Sequence, residues 1–182
     1  MLAAFGRSVF SFSLAAALVS PAWAVTPLIY YTRNVIAASP TLKKFSAAMA
    51  YVKSPEGGNS VSYIVPTDRS CGRSNASYPA HLRPSDARRF VEDRSVEGSL
   101  QILGSANDPR SPLAVQLRSG EPPWRFINEG ETMTVYSLRR HPITVQVRGQ
   151  QVFVGGYKVD PGFNGYGDDG WVLVVDGCGG LS

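Results

Sequence analysis

Glycine and proline divide this chain into short segments. The 182 residues include 18 glycines and 13 prolines, and only short apolar runs lie between them. Short apolar runs bounded by turn residues are typical of β-strands. The second half of the chain predicts strands over 100–103, 113–118, 132–137, 143–148, 152–157 and 171–175. The sequence therefore predicts a β-rich fold, mainly an antiparallel β-sandwich or meander.

The N-terminal half is expected to add one or two short helices to two strands, over 28–32 and 60–65. Ser39 and Pro40 are a helix start signal, and apolar residues at helical spacing follow them. Those residues are Leu42, Phe45, Met49 and Val52. Ser85 caps a second, shorter segment of helix-forming residues.

The clearest supersecondary signal is a β-hairpin in the sequence ITVQVRGQQVFVGGY, residues 143–157. Apolar and polar residues alternate on both sides of Gly149 and Gln150. This alternation predicts two antiparallel strands joined by a tight turn at those two residues.

The first 24 residues have the three parts of a secretory signal peptide. Arg7 is their only charge, an apolar run covers 9–19, and Pro21 follows it. Ala22 and Ala24 form the small-x-small pattern that signal peptidases recognise, so cleavage is expected after Ala24. The apolar run would span about 17 Å as a helix, against about 30 Å for a bilayer core.

We therefore expect a signal peptide over 1–24 and one exported β-rich domain over 25–182. No later apolar run approaches the length of a membrane span, so no transmembrane segment is predicted. The expected location is periplasmic or extracellular.

Cys71 and Cys178 are the two cysteines of the chain. An even cysteine count in an exported protein indicates a disulfide, and two cysteines permit one pairing. Closing a loop of about a hundred residues would stabilise the fold by about 4–5 kcal/mol in the chain-entropy model.

The formal charge is +4 and the sequence pI is about 9.2. The basic residues occur as short pairs, with acidic residues near several of them, as in SDARRFVEDRSVE around Phe90. Specific nucleic-acid binding normally requires denser basic clusters, so it is not predicted.

The segment GYKVDPGFNGYGDDGW, Gly156 to Trp171, has the highest concentration of side chains that could bind a ligand. Its acids and asparagine could coordinate calcium, although their spacing differs from that of an EF-hand and the same residue types build ordinary long turns. No cofactor is therefore predicted, with calcium as the alternative. Its rings could contact a carbohydrate or a protein partner, together with Trp124. The candidate ligand-binding residues are Trp124, Tyr157, Asp160, Asn164, Tyr166, Asp168, Asp169 and Trp171.

A catalytic alternative centres on His141, one of the two histidines. Arg139 and Arg140 precede it, and Glu129 and Glu131 lie ten or so residues earlier. These residue types could cleave a phosphodiester if they converged. The leading hypothesis is an exported, non-enzymatic binding module or a subunit of a surface or envelope assembly. The alternative is a small secreted hydrolase or toxin, such as a nuclease.

Overall fold

The computed structural model describes residues 32–52, 60–73, 83–104, 110, 112–118, 124–167 and 170–181, except for the side chains of 73, 124 and 161–167. Four helices lie in these ranges: α1 (Thr32–Ala38), α2 (Lys43–Met49), α3 (Asp68–Arg73) and α4 (Pro84–Glu92). The first five strands are β1 (Val61–Pro66), β2 (Ser95–Glu97), β3 (Ser99–Leu103), β4 (Ala114–Arg118) and β5 (Trp124–Ile127). The other five are β6 (Thr132–Tyr136), β7 (Pro142–Arg148), β8 (Gln151–Val154), β9 (Tyr157–Gly167) and β10 (Gly170–Val175).

Seven strands form one sheet in the order β2-β1-β10-β9-β8-β7-β6. The five strands from β6 to β10 are neighbours in chain order and antiparallel, so they form a meander. The predicted β-rich, mainly antiparallel fold is confirmed. The exception is the pair β1 and β10, which run parallel with Tyr63 opposite Val172 and Pro66 opposite Val175.

The large sheet curls until its two ends meet. Val96 on β2 forms an antiparallel bridge with Ser137, directly after β6. Beside it, the Leu138 amide donates to the Ser95 carbonyl over 2.8 Å. A second sheet, in the order β3-β4-β5, contributes its buried side chains to the same core as the meander.

Two apolar clusters lie on opposite faces of β1 and β10. On one face, Ile64 and Leu173 join the core of the meander and the small sheet. On the other, Tyr63 and Val172 pack with α2 and α4. All six residues of β1 are buried, as expected for a strand in the middle of a sheet that is covered on both sides.

The helices form because their apolar stripes cover the second face. Phe45 on α2 packs edge-on against Tyr63, with ring centroids 6.5 Å apart, and against Phe90 of α4 at 5.9 Å. Both predicted helices are confirmed, and Pro84 occupies the first turn of α4. The first is shorter than expected because Ser39 and Leu42 form a tight turn between α1 and α2.

The hairpin around Gly149 and Gln150 is also confirmed, with Arg148 opposite Gln151. The strand predicted over 152–157 ends earlier, at Val154. Gly155 and Gly156 have φ angles of 56° and 80° and form a second tight turn before β9 begins.

The segment after this turn is not the long turn that its composition suggested. Residues 157–167 form β9, which pairs with β10 through Trp171 opposite Tyr166 and Leu173 opposite Asn164. Pairing with β10 satisfies the backbone groups, and this outweighs the turn preference of the local residues.

Some elements were missed by the sequence reading. It did not predict α1, α3, β2 or β5. These elements are short, since α1 has seven residues and the other three have six or fewer. Of the strand expected over 28–32, only Thr32 lies within the described residues, and Thr32 begins α1.

A glycine after β10 provides a test of this packing. A Cβ atom at Gly177 would overlap the ring of Tyr157, whereas one at Gly72 in α3 would meet no atom within 4 Å. Gly177→Ala should lower the free energy of unfolding by about 1–3 kcal/mol through overpacking. Gly72→Ala should leave it unchanged or raise it by up to about 1 kcal/mol.

Urea denaturation of the oxidised protein measures both effects. In a Tyr157→Ala background the cost of Gly177→Ala should fall, since the overlapping ring is gone. An equal cost in both backgrounds would contradict this account of the packing.

Candidate functional site

A cavity of about 380 Å³ opens at one edge of the large sheet. Its volume falls within the usual range for small-molecule sites, about 300–1,000 Å³. Its lining combines two cations, two carboxylates, two hydroxyl side chains and three valines. These residues are Thr67, Arg69, Ser70, Lys158, Val159, Asp160, Val174, Val175 and Asp176.

The parallel pairing of β1 with β10 determines where this cavity lies. The carboxyl ends of two parallel strands meet at the same sheet edge, and here Pro66 lies opposite Val175. The chain leaves β1 through Thr67 into α3 and leaves β10 through Asp176 into the C-terminal segment. The space between these departing segments is the cavity, and such crevices are common ligand sites in sheets with parallel strands.

A bulge in β9 forms another wall. Between the pair Val159–Val175 and the pair Asn164–Leu173, β9 advances five residues while β10 advances two. The additional residues of β9 include Asp160, which lines the cavity. Bulges commonly redirect side chains beside functional sites, and this one accommodates the Pro-Gly sequence that follows Asp160.

Local hydrogen bonds hold the polar groups of the walls in place. The hydroxyl oxygens of Thr67 and Ser70 lie 2.6 Å apart, and the Ser70 amide donates to Thr67 Oγ1 over 3.0 Å. On the opposite wall, the Lys158 amide donates to Asp176 Oδ1 over 2.9 Å, and the Asp176 amide donates to the Lys158 carbonyl over 3.1 Å. The backbone on both sides of the cavity is thus held by hydrogen bonds within the protein.

The predicted disulfide is confirmed, and it joins two of these walls. Cys71 lies on α3 and Cys178 follows β10, at a sequence separation of 107. Both cysteines are buried. In the chain-entropy model a loop of this length contributes about 4–5 kcal/mol to stability.

A buried arginine anchors the C-terminal segment at a further point. Arg94 is 4% exposed, and its guanidinium lies 4.0 Å from the centroid of the Phe90 ring. Its Nη2 donates to the carbonyl oxygens of Cys178, over 2.9 Å, and of Gly179. The C-terminal segment is therefore attached to α3 by the disulfide and to the chain after α4 by Arg94.

The catalytic residues proposed from sequence are divided between two ends of the β6–β7 hairpin. Glu129 Oε1 accepts from the Gly149 amide over 2.8 Å, and Glu131 Oε2 accepts from the Asn128 amide over 2.9 Å. His141 lies at the opposite end, one strand length of about 13–17 Å away. The expected convergence of the glutamates on His141 is wrong, because each glutamate caps a nearby turn.

Asp93 is the carboxylate that contacts His141. His141 Nδ1 lies 2.9 Å from Asp93 Oδ1, and Arg139 Nη1 lies 3.0 Å from Asp93 Oδ2. The Arg140 side chain is exposed, in a turn with φ of 64°. This Asp93 cluster, made of Asp93, Arg139 and His141, attaches the hairpin to the end of α4. Asp93 was missed by sequence reasoning because its contacts with Arg139 and His141 are long-range, between the end of α4 and the hairpin.

The predicted ligand-binding residues have different environments. Asp160 lines the cavity, whereas the ring of Tyr157 is half-buried against the meander core and the C-terminal glycines. Trp171 is half-buried on β10. The side chains of Trp124, Asn164 and Tyr166, and residues Asp168 and Asp169, lie outside the described part of the structure.

Five polar residues of the cavity were missed by sequence reasoning: Thr67, Arg69, Ser70, Lys158 and Asp176. Their signal was positional: Thr67 and Asp176 directly follow β1 and β10, Arg69 and Ser70 lie on α3, and Lys158 lies at the start of β9. These residues could be recognised as one site only once the pairing of β1 with β10 was known.

The described residues contain no group of three His, Cys, Asp or Glu side chains placed to hold a metal ion. No helix within the same ranges has the length and apolarity needed to cross a membrane.

Comparisons with known proteins return no match: no protein-family model fits the sequence, and no curated protein is significantly similar to it.

The Asp93 cluster generates a stability prediction. The Arg139 side chain is two-thirds buried, and its guanidinium donates to the Asp93 carboxylate. Arg139→Gln removes this charged donor and should lower the free energy of unfolding by about 1–2 kcal/mol. The matched control is Arg88→Gln, whose arginine is 66% exposed and pairs with Glu92 along α4. That change should cost at most about 0.5 kcal/mol.

Chemical denaturation at constant salt gives both values. A cost for Arg139→Gln no larger than that for Arg88→Gln would show that the Asp93 cluster does not hold the hairpin.

Proposed function

We propose that this chain is an exported, non-enzymatic binding domain, and that its ligand is a small polar molecule held in the cavity between α3, β9 and β10. The observation that carries the proposal is the cavity itself. Its polar walls are ordered by their own hydrogen bonds, and the Cys71–Cys178 disulfide joins α3 to the segment after β10. A site ordered before binding loses little conformational entropy when a ligand enters.

Export is supported by two independent features. The sequence begins with the three-part pattern of a signal peptide. The disulfide is compatible with an oxidising periplasmic or extracellular environment.

A binding role is favoured over catalysis by the location of the reactive groups. His141 and Asp93 are not among the residues that line the cavity. Around the cavity, hydroxyl, carboxylate and cationic side chains surround a small space, which suits recognition of a polar ligand by several hydrogen bonds.

The size of the cavity favours a small molecule, such as a monosaccharide or an amino acid, over a folded partner. Of the carbohydrate and protein partners expected from the sequence, the cavity size therefore favours a carbohydrate. It also suits small metabolites such as amino acids. The envelope-subunit hypothesis would instead place the main contact on an exposed face.

A cavity-filling substitution tests the proposal. The oxidised protein, purified after export, is first screened by thermal shift against monosaccharides, uronic acids and amino acids. A ligand at about a hundred times its dissociation constant adds about 2.7 kcal/mol of stability. Ser70→Tyr should fill the cavity from α3 and reduce the affinity for any hit at least about tenfold, by calorimetry.

Ser85→Tyr is the matched control, since Ser85 is exposed on α4 and does not line the cavity. It should leave the affinity unchanged. A ligand bound equally well by wild type and Ser70→Tyr would place the binding site elsewhere and refute this function for the cavity.

A further inference from the structure

We infer that the ligand of the cavity is a small monocarboxylate that also carries hydroxyl or ammonium hydrogen-bond donors, and that its carboxylate binds between Arg69 and Lys158. This inference rests on the proposed function and names the chemical class of the ligand.

Two cations, the Arg69 guanidinium and the Lys158 ammonium, line the cavity. Within the described ranges, neither of them forms an ion pair. Other arginines do, with Arg83, Arg88 and Arg139 each bonded to a carboxylate. An anion bound between Arg69 and Lys158 would accept a charge-assisted hydrogen bond from each.

The backbone holds both cations in place. Arg69 is exposed on α3, the helix that Cys71 anchors, whereas Lys158 is half-buried on β9. Both Lys158 backbone groups bond Asp176, as described above. Since both backbones are fixed, binding needs to order only the two long side chains.

Two carboxylates limit the number of charges on the ligand. Asp160 and Asp176 line the same cavity, so its formal charge with Arg69 and Lys158 is zero. A dianion such as phosphate would bring two negative charges beside these carboxylates, whereas a monocarboxylate brings one. The charge of the site therefore favours a single carboxylate over a dianion.

The cavity also contains hydrogen-bond acceptors. Only Oδ1 of Asp176 receives the Lys158 amide, which leaves Oδ2 to accept a hydrogen bond from the ligand. Thr67 and Ser70, whose hydroxyl oxygens lie 2.6 Å apart, line the same space. Hydroxyl or ammonium groups of the ligand can donate to these acceptors, and a plain fatty acid has no such donors.

Four probes separate the possibilities by calorimetry at low salt. Glucuronate presents a carboxylate with hydroxyl donors, and serine presents a carboxylate with an ammonium and a hydroxyl. Glucose retains the hydroxyls without charge, and inorganic phosphate supplies a doubly charged oxyanion. At least one of the first two should bind at least about tenfold more tightly than glucose and phosphate.

Charge-removing variants then locate the carboxylate. Arg69→Gln and Lys158→Gln should each weaken the better probe about tenfold, because each removes one charge-assisted hydrogen bond. Arg89→Gln and Lys43→Gln are matched controls on exposed helix surfaces and should change the affinity less than about twofold. Unchanged melting temperatures would show that all four variants are folded.

The outcomes distinguish this inference from the function on which it rests. If neither glucuronate nor serine binds, or if glucose or phosphate binds as tightly, the monocarboxylate inference is wrong. If a neutral ligand from the screen binds the wild type and Ser70→Tyr weakens that binding, the cavity is still the binding site, but its ligand belongs to a different chemical class. Equal weakening by Arg69→Gln and Arg89→Gln would also overturn the inference, since it would indicate general electrostatic attraction only.

Discussion

The parallel pairing of β1 with β10 is the constraint on which the rest of this structure depends. It joins a strand from the first half of the chain to the last strand, in a register that places Ile64 opposite Leu173. Because side chains alternate along both strands, this one pairing supplies apolar residues to two cores, one under the helices and one inside the curled meander. A shift by one residue would exchange the two faces.

The same pairing creates the candidate site. It brings Thr67 and Asp176 to one edge of the sheet, and the bulge in β9 adds Asp160 beside them. The Cys71–Cys178 disulfide then fixes the two segments that leave this edge. The cavity is thus a consequence of topology, and its charges come from residues on α3, on β9 and directly after β10.

Local sequence signals predicted much of the fold. Alternation and turn residues located the hairpin at Gly149, four of the five meander strands and both amphipathic helices, because these features depend on neighbours in the chain. Two cysteines in a chain that was predicted to be exported were sufficient to predict the disulfide. The segment after Gly156 was misread as a long turn, since its glycines and aspartates favour turns while its strand conformation depends on pairing with β10.

The site was harder to predict, for the same physical reason. Asp160 was identified as a candidate by composition, whereas Arg69 and Lys158 lie 89 positions apart and carry no local motif. Likewise, His141 was grouped with Glu129 and Glu131 by sequence distance, but hairpin geometry separates them and Asp93 takes their place. Long-range contacts of this kind follow from strand order, which no local pattern reveals.

The most direct test of the account is a backbone amide chemical-shift titration of the oxidised, isotopically labelled protein with glucuronate and with serine. The account predicts that one of these probes causes saturable shifts concentrated in 67–71, 158–160 and 174–178, the segments that surround the cavity. Shifts concentrated instead around the Asp93 cluster, or no saturable shifts with either probe, would contradict it.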